Sequence, residues 1–350
     1  MATQTPPQAP CAAVEVFAPA RLHLGFLDLS GTLGRPFGSL GLAIEGIGTR
    51  ILLARAAERS DAEGIPERAS RLLASLSGRH SALGPLQLSV IETIPEHIGL
   101  GSGTQLGLAI AAGVAALAGE HASARSLAEL VDRGARSGIG IGAFETGGFL
   151  VDGGKRSGEE PAPIVARAEF PETWRIILIF DHGRRGLFGE AEKAAFHDLP
   201  AFPPDAAAHL CHLTLLRLLP GLAEAAFDPV ADALGEISAR VGDYFAPIQG
   251  GRFASPRVAS ALAWLRDQGL AGIGQSSWGP TGFVLLPSEA DARSMADTLA
   301  SRFGGDGQIS FKVCAARNRG ADIRRSPAVI ERRAFARTAE RRDARRARER

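Results

Sequence analysis

The chain has 350 residues, 45% hydrophobic and 22% charged, with a formal net charge of +1. That length exceeds what one hydrophobic core usually serves, so a globular protein of two domains is expected. Glu331 to Arg350 holds nine Arg against four acids, which leaves the rest of the chain at about −4 and argues against a basic nucleic-acid-binding body.

Residues 1–12 are rich in Pro and Ala and are read as unordered. Val14 to Phe17 alternates as a strand does, and Leu22 to Leu27 continues the extended pattern. Gly38 to Gly48 is a glycine-punctuated lead into a third strand, Ile51 to Ala54. Glu67 to Leu76 reads as a helix and Leu86 to Ile91 as a strand. Then comes Pro95-Glu96-His97-Ile98-Gly99-Leu100-Gly101-Ser102-Gly103-Thr104-Gln105, running directly into the apolar segment Leu106 to Ala118. A helix follows through Leu127 to Arg133, and a second glycine cluster, Gly138 to Gly142, leads into Phe144 to Lys155. Prolines 161, 163 and 171 mark the expected domain junction.

Beyond the junction Trp174 to Phe180 is a strand, and helices are expected at Gly189 to His197, Asp205 to Leu219, Pro229 to Tyr244 and Pro256 to Gln268. Strands near Gly272 and at Gly282 to Leu286 precede a helix, Ala290 to Arg302, opened by Ser288 with Asp291 at capping-box spacing. Gln308 to Val313 closes as a strand. Mixed elements without regular β-α alternation favour an α+β fold. Cys11, Cys211 and Cys314 form no Cys-x-x-Cys pair, so neither a disulfide framework nor a thiolate zinc site is expected. With no secretory signal and an apolar run too short to span a bilayer, a cytoplasmic protein without a membrane partner is expected.

The glycine loop carries the strongest functional signal. Three glycines and two hydroxyls let the backbone turn sharply, and the helix that follows adds unpaired amides and a positive dipole end. That is a site for phosphate or another anion. It lacks the Lys-Ser/Thr ending of the Walker loop and the spacing of a dinucleotide fingerprint.

The segment resembles the central motif of the GHMP superfamily of galactokinase, homoserine kinase and mevalonate kinase, with Ser-Gly-Thr-Gln where Ser-Ser-Ala is usual. Further blocks narrow the resemblance: Ala18 to Phe26, Gly147 to Gly154, Gln249-Gly250-Gly251 and Gly272 to Pro280. Together they are similar to the beta-ribofuranosylaminobenzene 5'-phosphate synthase family, over roughly Val14 to Ile323. The resemblance implies a two-domain GHMP-kinase-like fold, with an N-terminal half like ribosomal protein S5 domain 2 and a ferredoxin-like C-terminal half. It divides the chain into a disordered 1–12, domains at 13–168 and 169–325, and an Arg-rich tail at 326–350. It also implies a reaction of methanopterin biosynthesis. 4-Aminobenzoate attacks C1 of 5-phosphoribosyl-1-diphosphate (PRPP) through its ring carbon, losing carbon dioxide and releasing diphosphate. Mg²⁺ is the expected cofactor, ATP is not required, and a homodimer is expected. The alternative is an ATP-dependent small-molecule kinase of the homoserine or pantoate type; a third reading is an inert member that binds a phosphorylated ligand.

On this resemblance Gly99, Gly101, Ser102, Gly103, Thr104 and Gln105 hold diphosphate, where fixed N–H groups stabilise departing charge. Arg21 suits a phosphate or the benzoate carboxylate, because its planar fork engages two oxygens. Period-two alternation puts it on one face of its strand with His23. His23, Asp28, Glu145 and Asp152 are the catalytic candidates, with Ser102 and Asp152 as candidate Mg²⁺ ligands. Gln275, Ser276, Ser277 and Trp278 form a second binding loop in which Trp278 stacks on the acceptor ring. Arg184 and Arg185 are placed to receive the 5'-phosphate or the carboxylate. His209 and His212 are read as structural for want of a carboxylate at matching spacing.

Overall fold

The computed structural model describes residues 12–56, 65–156, 160–187 and 189–326. The segment before residue 12 and the Arg-rich tail beyond 326 lie outside the described residues.

The first sheet is built on two long strands, β1 (Ala13–Asp28) and β2 (Gly38–Arg55). The sequence pattern split each of them. Their pairing shifts register between Pro19 and Arg21, His23 and Gly25, and Phe26 and Asp28. A bulge adds a residue without ending the ladder, so the alternation slips and reads as an interruption. β3 (Leu86–Glu92) also pairs with β2, and β4 (Phe149–Asp152) and β5 (Ile164–Ala168) complete the far edge.

Among the described residues four α-helices belong to this half: α1 (Glu67–Arg79), α2 (Ser102–Ala118), α3 (Ala124–Leu130) and α4 (Ile139–Glu145). α2 is buried at every position from Gln105 to Leu117, as a helix apolar on all faces must be. α4 occupies the second glycine cluster, which composition reads as a loop. Glycine costs about 1 kcal/mol per helical position, and close packing outweighs that here. A Cβ on Gly140 would lie 3.0 Å from Thr104 Cγ2, so the cluster lets α4 sit against the start of α2.

The second sheet has the order β7-β8-β6-β9, from β6 (Arg175–Asp181), β7 (Ile273–Gln275), β8 (Gly282–Leu286) and β9 (Ile309–Cys314), all antiparallel. Helices α5 (Gly189–Asp198), α6 (Pro204–Leu213), α7 (Leu219–Ala223), α8 (Phe227–Gln249) and α9 (Pro256–Asp267) separate β6 from β7. α10 (Glu289–Phe303) separates β8 from β9. This is the split β-α-β arrangement of a ferredoxin-like half. The expected cap of α10 is present, with Ser288 Oγ accepting Asp291 N at 3.1 Å.

Two readings need correction. The second domain does not hold the chain to residue 325, because β10 (Asp322–Ser326) returns to pair antiparallel with β1. Nor is Leu106 to Ala118, the apolar run expected to be too short to span a bilayer, the longest apolar helical stretch among the described residues. α6, a π-helical turn and α7 form one stretch, Pro204–Ala223, long and apolar enough to cross a membrane by length and composition. Ala207, Leu210, Leu218 and Leu222 of that stretch are buried in the core.

That core spans both halves. One cluster contains Leu22, Leu24 and Phe26 of β1, Ile176 and Leu178 of β6, and Leu234 and Ile237 of α8. The two sheets are therefore packed as one body, and groups contributed by both can be held in fixed relation.

The return of β10 is fastened by Arg317, only 1% exposed. Its guanidinium donates to both Glu45 oxygens at 2.9 Å, to the Gly320 carbonyl at 3.0 and 2.9 Å, and pairs with Asp322 at 2.9 Å. Substituting Arg317→Ala removes this clamp and leaves a cavity, an expected loss of about 3 kcal/mol measurable by denaturant unfolding.

Candidate active site

The glycine loop is fixed through one carbonyl. Gly99 O accepts from Arg21 Nη1 at 2.5 Å and from Ser276 Oγ at 2.7 Å. Ser276 Oγ in turn accepts His23 N at 3.0 Å, and Ser277 N donates to His23 O at 3.1 Å. β1, the loop and the β7–β8 turn thus meet at a single point. Gly99 has φ +86°, and a Cβ there would fall 2.2 Å from Ser276 O, so only glycine fits.

The start of α2 is left open to a ligand. Gly101 caps it in the left-handed conformation with no side-chain bond, and the amides of Thr104 and Gln105 turn back to Gly101 O. The amides of Ser102 and Gly103 have no backbone partner among the described residues. Such first-turn N–H groups, with the helix dipole behind them, suit an anion. Arg68 of α1, which sequence reasoning missed, lies across this turn. A Cβ on Gly103 would meet its guanidinium at 2.7 Å. Arg68 is exposed and forms no ion pair among the described residues. The signal for it was only its place one residue into α1, and nothing local tied α1 to the loop.

Buried polar atoms without partners gather beside the loop: Arg21 Nε, both ring nitrogens of His23, Trp278 Nε1 and Gln105 Oε1. Orphaned groups of this kind are rare in folded proteins and mark a place for water or ligand. Aromatic rings surround them. The His23 ring lies 4.5 Å from Phe26, and Trp278 lies 4.1 Å from Phe245 and 5.4 Å from Phe196. A cavity of about 20 Å³ beside His23, room for one water, is lined also by Gln249, Gln275 and Ser277.

Burial sets the charge states. His23 is 3% exposed, and burial, then the nearby Arg21, pulls its imidazole down to about 3. It is neutral at physiological pH. Burial lowers Arg21 to about 10 while Glu192 opposes the shift, so Arg21 stays cationic. Glu192 also pairs with Arg136 at 2.7 Å, and the Arg136 guanidinium lies 5.1 Å above the Phe196 ring. Glu192 and Arg136 are further site residues the sequence did not single out, since α5 and the α3–α4 loop meet only in the tertiary structure.

Several expected roles change. Asp152 is 1% exposed, and its oxygens accept from Ser39 N and Oγ, Ser137 Oγ, Gly138 N and Gly154 N at 2.5–3.1 Å. Burial raises its pKa even so. Five donors leave no lone pair for a metal or for taking a proton, so Asp152 anchors α4 to β2 and β4. Asp28 accepts from Ser30 N, Gly31 N and Thr32 N and Oγ, and thereby builds the turn after β1. Glu145 stands exposed at the last position of α4, the end away from Gly138 and Gly140, and is not brought to the loop. Trp278 is 3% exposed and packed among Phe196 and Phe245, which leaves it no open face for stacking. Gln275 braces the second loop, with Nε2 on Ser277 O at 2.9 Å and Oε1 accepting Ala254 N at 2.6 Å. Gln105 Nε2 is spent on Gly140 O at 2.8 Å. Arg184 and Arg185 line a separate cavity. His209, read as lacking a carboxylate, has one across the helix pair: Glu236 at 2.7 Å.

The fit to Mg²⁺ is narrow. No group of three or more His, Cys, Asp or Glu is gathered for a metal among the described residues. With Asp152 saturated, the loop offers the Ser102 and Thr104 hydroxyls, which suits an ion that arrives with phosphate oxygens and waters as its main ligands.

A glycine loop at the start of a buried helix, between an S5-like and a ferredoxin-like sheet, defines the GHMP kinase class of fold. Residues 65–148 match the model for the GHMP kinases N terminal domain and residues 218–305 that for the GHMP kinases C terminal. Among solved structures, homoserine kinase from Cytophaga hutchinsonii superposes with a TM-score of 0.60 at 17% identity, covering 93% of this chain and all of that one. Mevalonate-3-kinase from Thermoplasma acidophilum gives 0.63 at 13% identity, covering 90% and 99%. Beta-ribofuranosylphenol 5'-phosphate synthase of Archaeoglobus fulgidus is 33% identical over 87% of this chain and 97% of its own length. The protein of that name from Methanothermobacter thermautotrophicus is 32% identical over 87% and 96%. The chain belongs to the beta-ribofuranosylphenol 5'-phosphate synthase family.

Two outcomes follow from this geometry. Because the folded state resists protonating His23 while the unfolded chain protonates it near 6.5, stability falls as pH drops below about 6.5. The loss reaches about 2 kcal/mol by about pH 5, and the variant His23→Gln is expected to remove that component of the pH-dependent unfolding curve. Arg68→Ala is expected to weaken inorganic pyrophosphate about tenfold in a calorimetric titration, since a charge-assisted bond contributes about 1.5–3 kcal/mol.

Proposed function

We propose that this enzyme joins the carboxylate-bearing ring carbon of a para-substituted benzoate to C1 of PRPP, in methanopterin biosynthesis. The observation that carries the reading is the nearly full-length identity to the synthases. The geometry supports it through a site rich in anion-holding donors whose buried carboxylate, Asp152, is fully engaged.

The reaction suits such a site. Ring π electrons form the new C–C bond as the C1–O bond breaks, and that electron pair leaves with diphosphate. The bond from ring to carboxylate then breaks, its pair restores the aromatic ring, and carbon dioxide departs. No net proton is taken, so no general base is required. The Ser102 and Gly103 amides and Arg68 hold the departing diphosphate, already oriented before charge develops. Arg21 and Arg136 supply cationic charge for the donor phosphates or the acceptor carboxylate. The aromatic wall of Phe26, Phe196 and Phe245 keeps water from the reacting carbon and positions the ring. Bound Mg²⁺ would neutralise the diphosphate, held by the Ser102 hydroxyl and the diphosphate itself.

A kinase acting on an alcohol is not favoured, because it would need a base where Asp152 has none to offer. 4-Aminobenzoate remains the proposed acceptor; the relatives' names carry phenol, the product that 4-hydroxybenzoate would give. The reading places the enzyme in the cytoplasm as a homodimer, with no need of a membrane or nucleic acid.

The test supplies purified protein, Mg²⁺ and PRPP with carboxyl-labelled 4-aminobenzoate or 4-hydroxybenzoate. Equal release of labelled carbon dioxide and diphosphate without ATP is expected, and the faster acid identifies the acceptor. Release of neither, with ADP formed from ATP and homoserine or pantoate, would overturn the reading.

A further inference from the structure

Helix α5 brings one carboxylate to the cations of the site. Glu192, in its first turn, pairs with Arg136 Nη1 at 2.7 Å, the two side chains being 20% and 29% exposed. Its charge also reaches Arg21, where it opposes the effect of burial, although the two form no ion pair among the described residues. Arg21 spends Nη1 on Gly99 O and keeps Nε buried without a partner. Its guanidinium lies beside the left-handed cap of α2, where a Cβ on Gly101 would stand 3.3 Å from Arg21 Cζ. Glu192 thus bridges the charges of Arg136 and Arg21 beside the diphosphate loop.

The elements that carry these groups are held independently of the ion pair. Phe196 fixes α5 by edge contacts with Phe26, Phe37, Phe245 and Trp278 at 5.4–6.0 Å. Ser137 and Gly138, next to Arg136, donate to Asp152. A single part-exposed ion pair adds little stability. Its consequence is for binding, because a fixed negative charge beside an anion site opposes every anion that enters.

We propose that Glu192 is a specificity-determining residue: it competes with the incoming ligand for Arg136 and Arg21, so that a diphosphate is admitted there and a monocarboxylate is not. The inference rests on the reading that the donor is a sugar diphosphate and the acceptor a benzoate. Both are anions, and two guanidiniums left to themselves would take either. Glu192 is tethered, so a free carboxylate of equal charge must reach about millimolar concentration to match it at Arg136. A diphosphate brings several charges and several acceptor oxygens, and its attraction to two guanidiniums grows accordingly, so it displaces the tethered group. Glu192 thereby keeps the acceptor's carboxylate off the donor's cations. It acts through the charges of Arg21 and Arg136 and takes no part in bond making.

Calorimetric titration of the full chain with inorganic pyrophosphate tests this, with acetate replacing chloride at constant ionic strength as the monocarboxylate probe. In the parent, acetate should leave pyrophosphate binding unchanged. In Glu192→Gln and Glu192→Ala, pyrophosphate is expected to bind about tenfold tighter and acetate to compete with it. The gain should shrink as salt is raised, which a structural role of Glu192 would not produce. Glu192→Asp, which keeps the charge, should exclude acetate as the parent does. Pyrophosphate affinity that is unchanged or weakened in both neutral variants would overturn the proposal. So would acetate that competes in parent and variants alike, or in none of them. Turnover is not read, so failure of the synthase reaction alongside these binding results would count against the proposed reaction and not against Glu192.

Discussion

The Gly99 carbonyl is the constraint on which the site depends. A carbonyl oxygen has two lone pairs, and here one serves a guanidinium from the first sheet and the other a hydroxyl from the second. The loop cannot move toward either half without breaking one of these bonds. Because Gly99 is in left-handed backbone with Ser276 O pressed against it, no other residue could be fixed in the same way. The shared core behind it, from Leu22 to Ile237, makes the two supports parts of one packed body.

Burial then decides what this site can do. His23 and Arg21 are forced together in a desolvated pocket beside aromatic rings, and the cheaper solution is a neutral imidazole beside a retained guanidinium. Asp152, the carboxylate nearest to a conventional base, is consumed in tying Ser39, Ser137 and Gly138 together. What remains is a set of N–H donors and cations around the start of α2. Such a surface is suited to a leaving diphosphate and poorly equipped to shuttle protons, which fits displacement with loss of carbon dioxide better than transfer to an alcohol.

Some of this was readable along the chain because it is local. The loop composition, the apolar run of α2 and the Arg21/His23 spacing each act over a few residues, and each appears where expected. Asp28 and Asp152 were read as catalytic and Trp278 as stacking on the acceptor because acids and aromatics beside glycine turns look alike in sequence, whatever they touch. Asp28 spends its oxygens on the next turn, while Ser39 reaches Asp152 across 113 positions. Arg68, Arg136 and Glu192 carry no motif, and only packing brings them to the loop.

The sequence alone determined the class of fold, the glycine loop ahead of a buried helix and the membership of a synthase family, since those rest on short-range turn chemistry, periodicity and long blocks in order. The tertiary structure decided that the glycine cluster after residue 137 is a helix, that β10 crosses back to the first sheet, and which polar groups are spent and which are free. Those outcomes depend on hydrogen bonds and close approaches between segments far apart in the chain, where one donor's choice of partner removes another's. No local pattern encodes that competition, and it is settled only when the two halves pack.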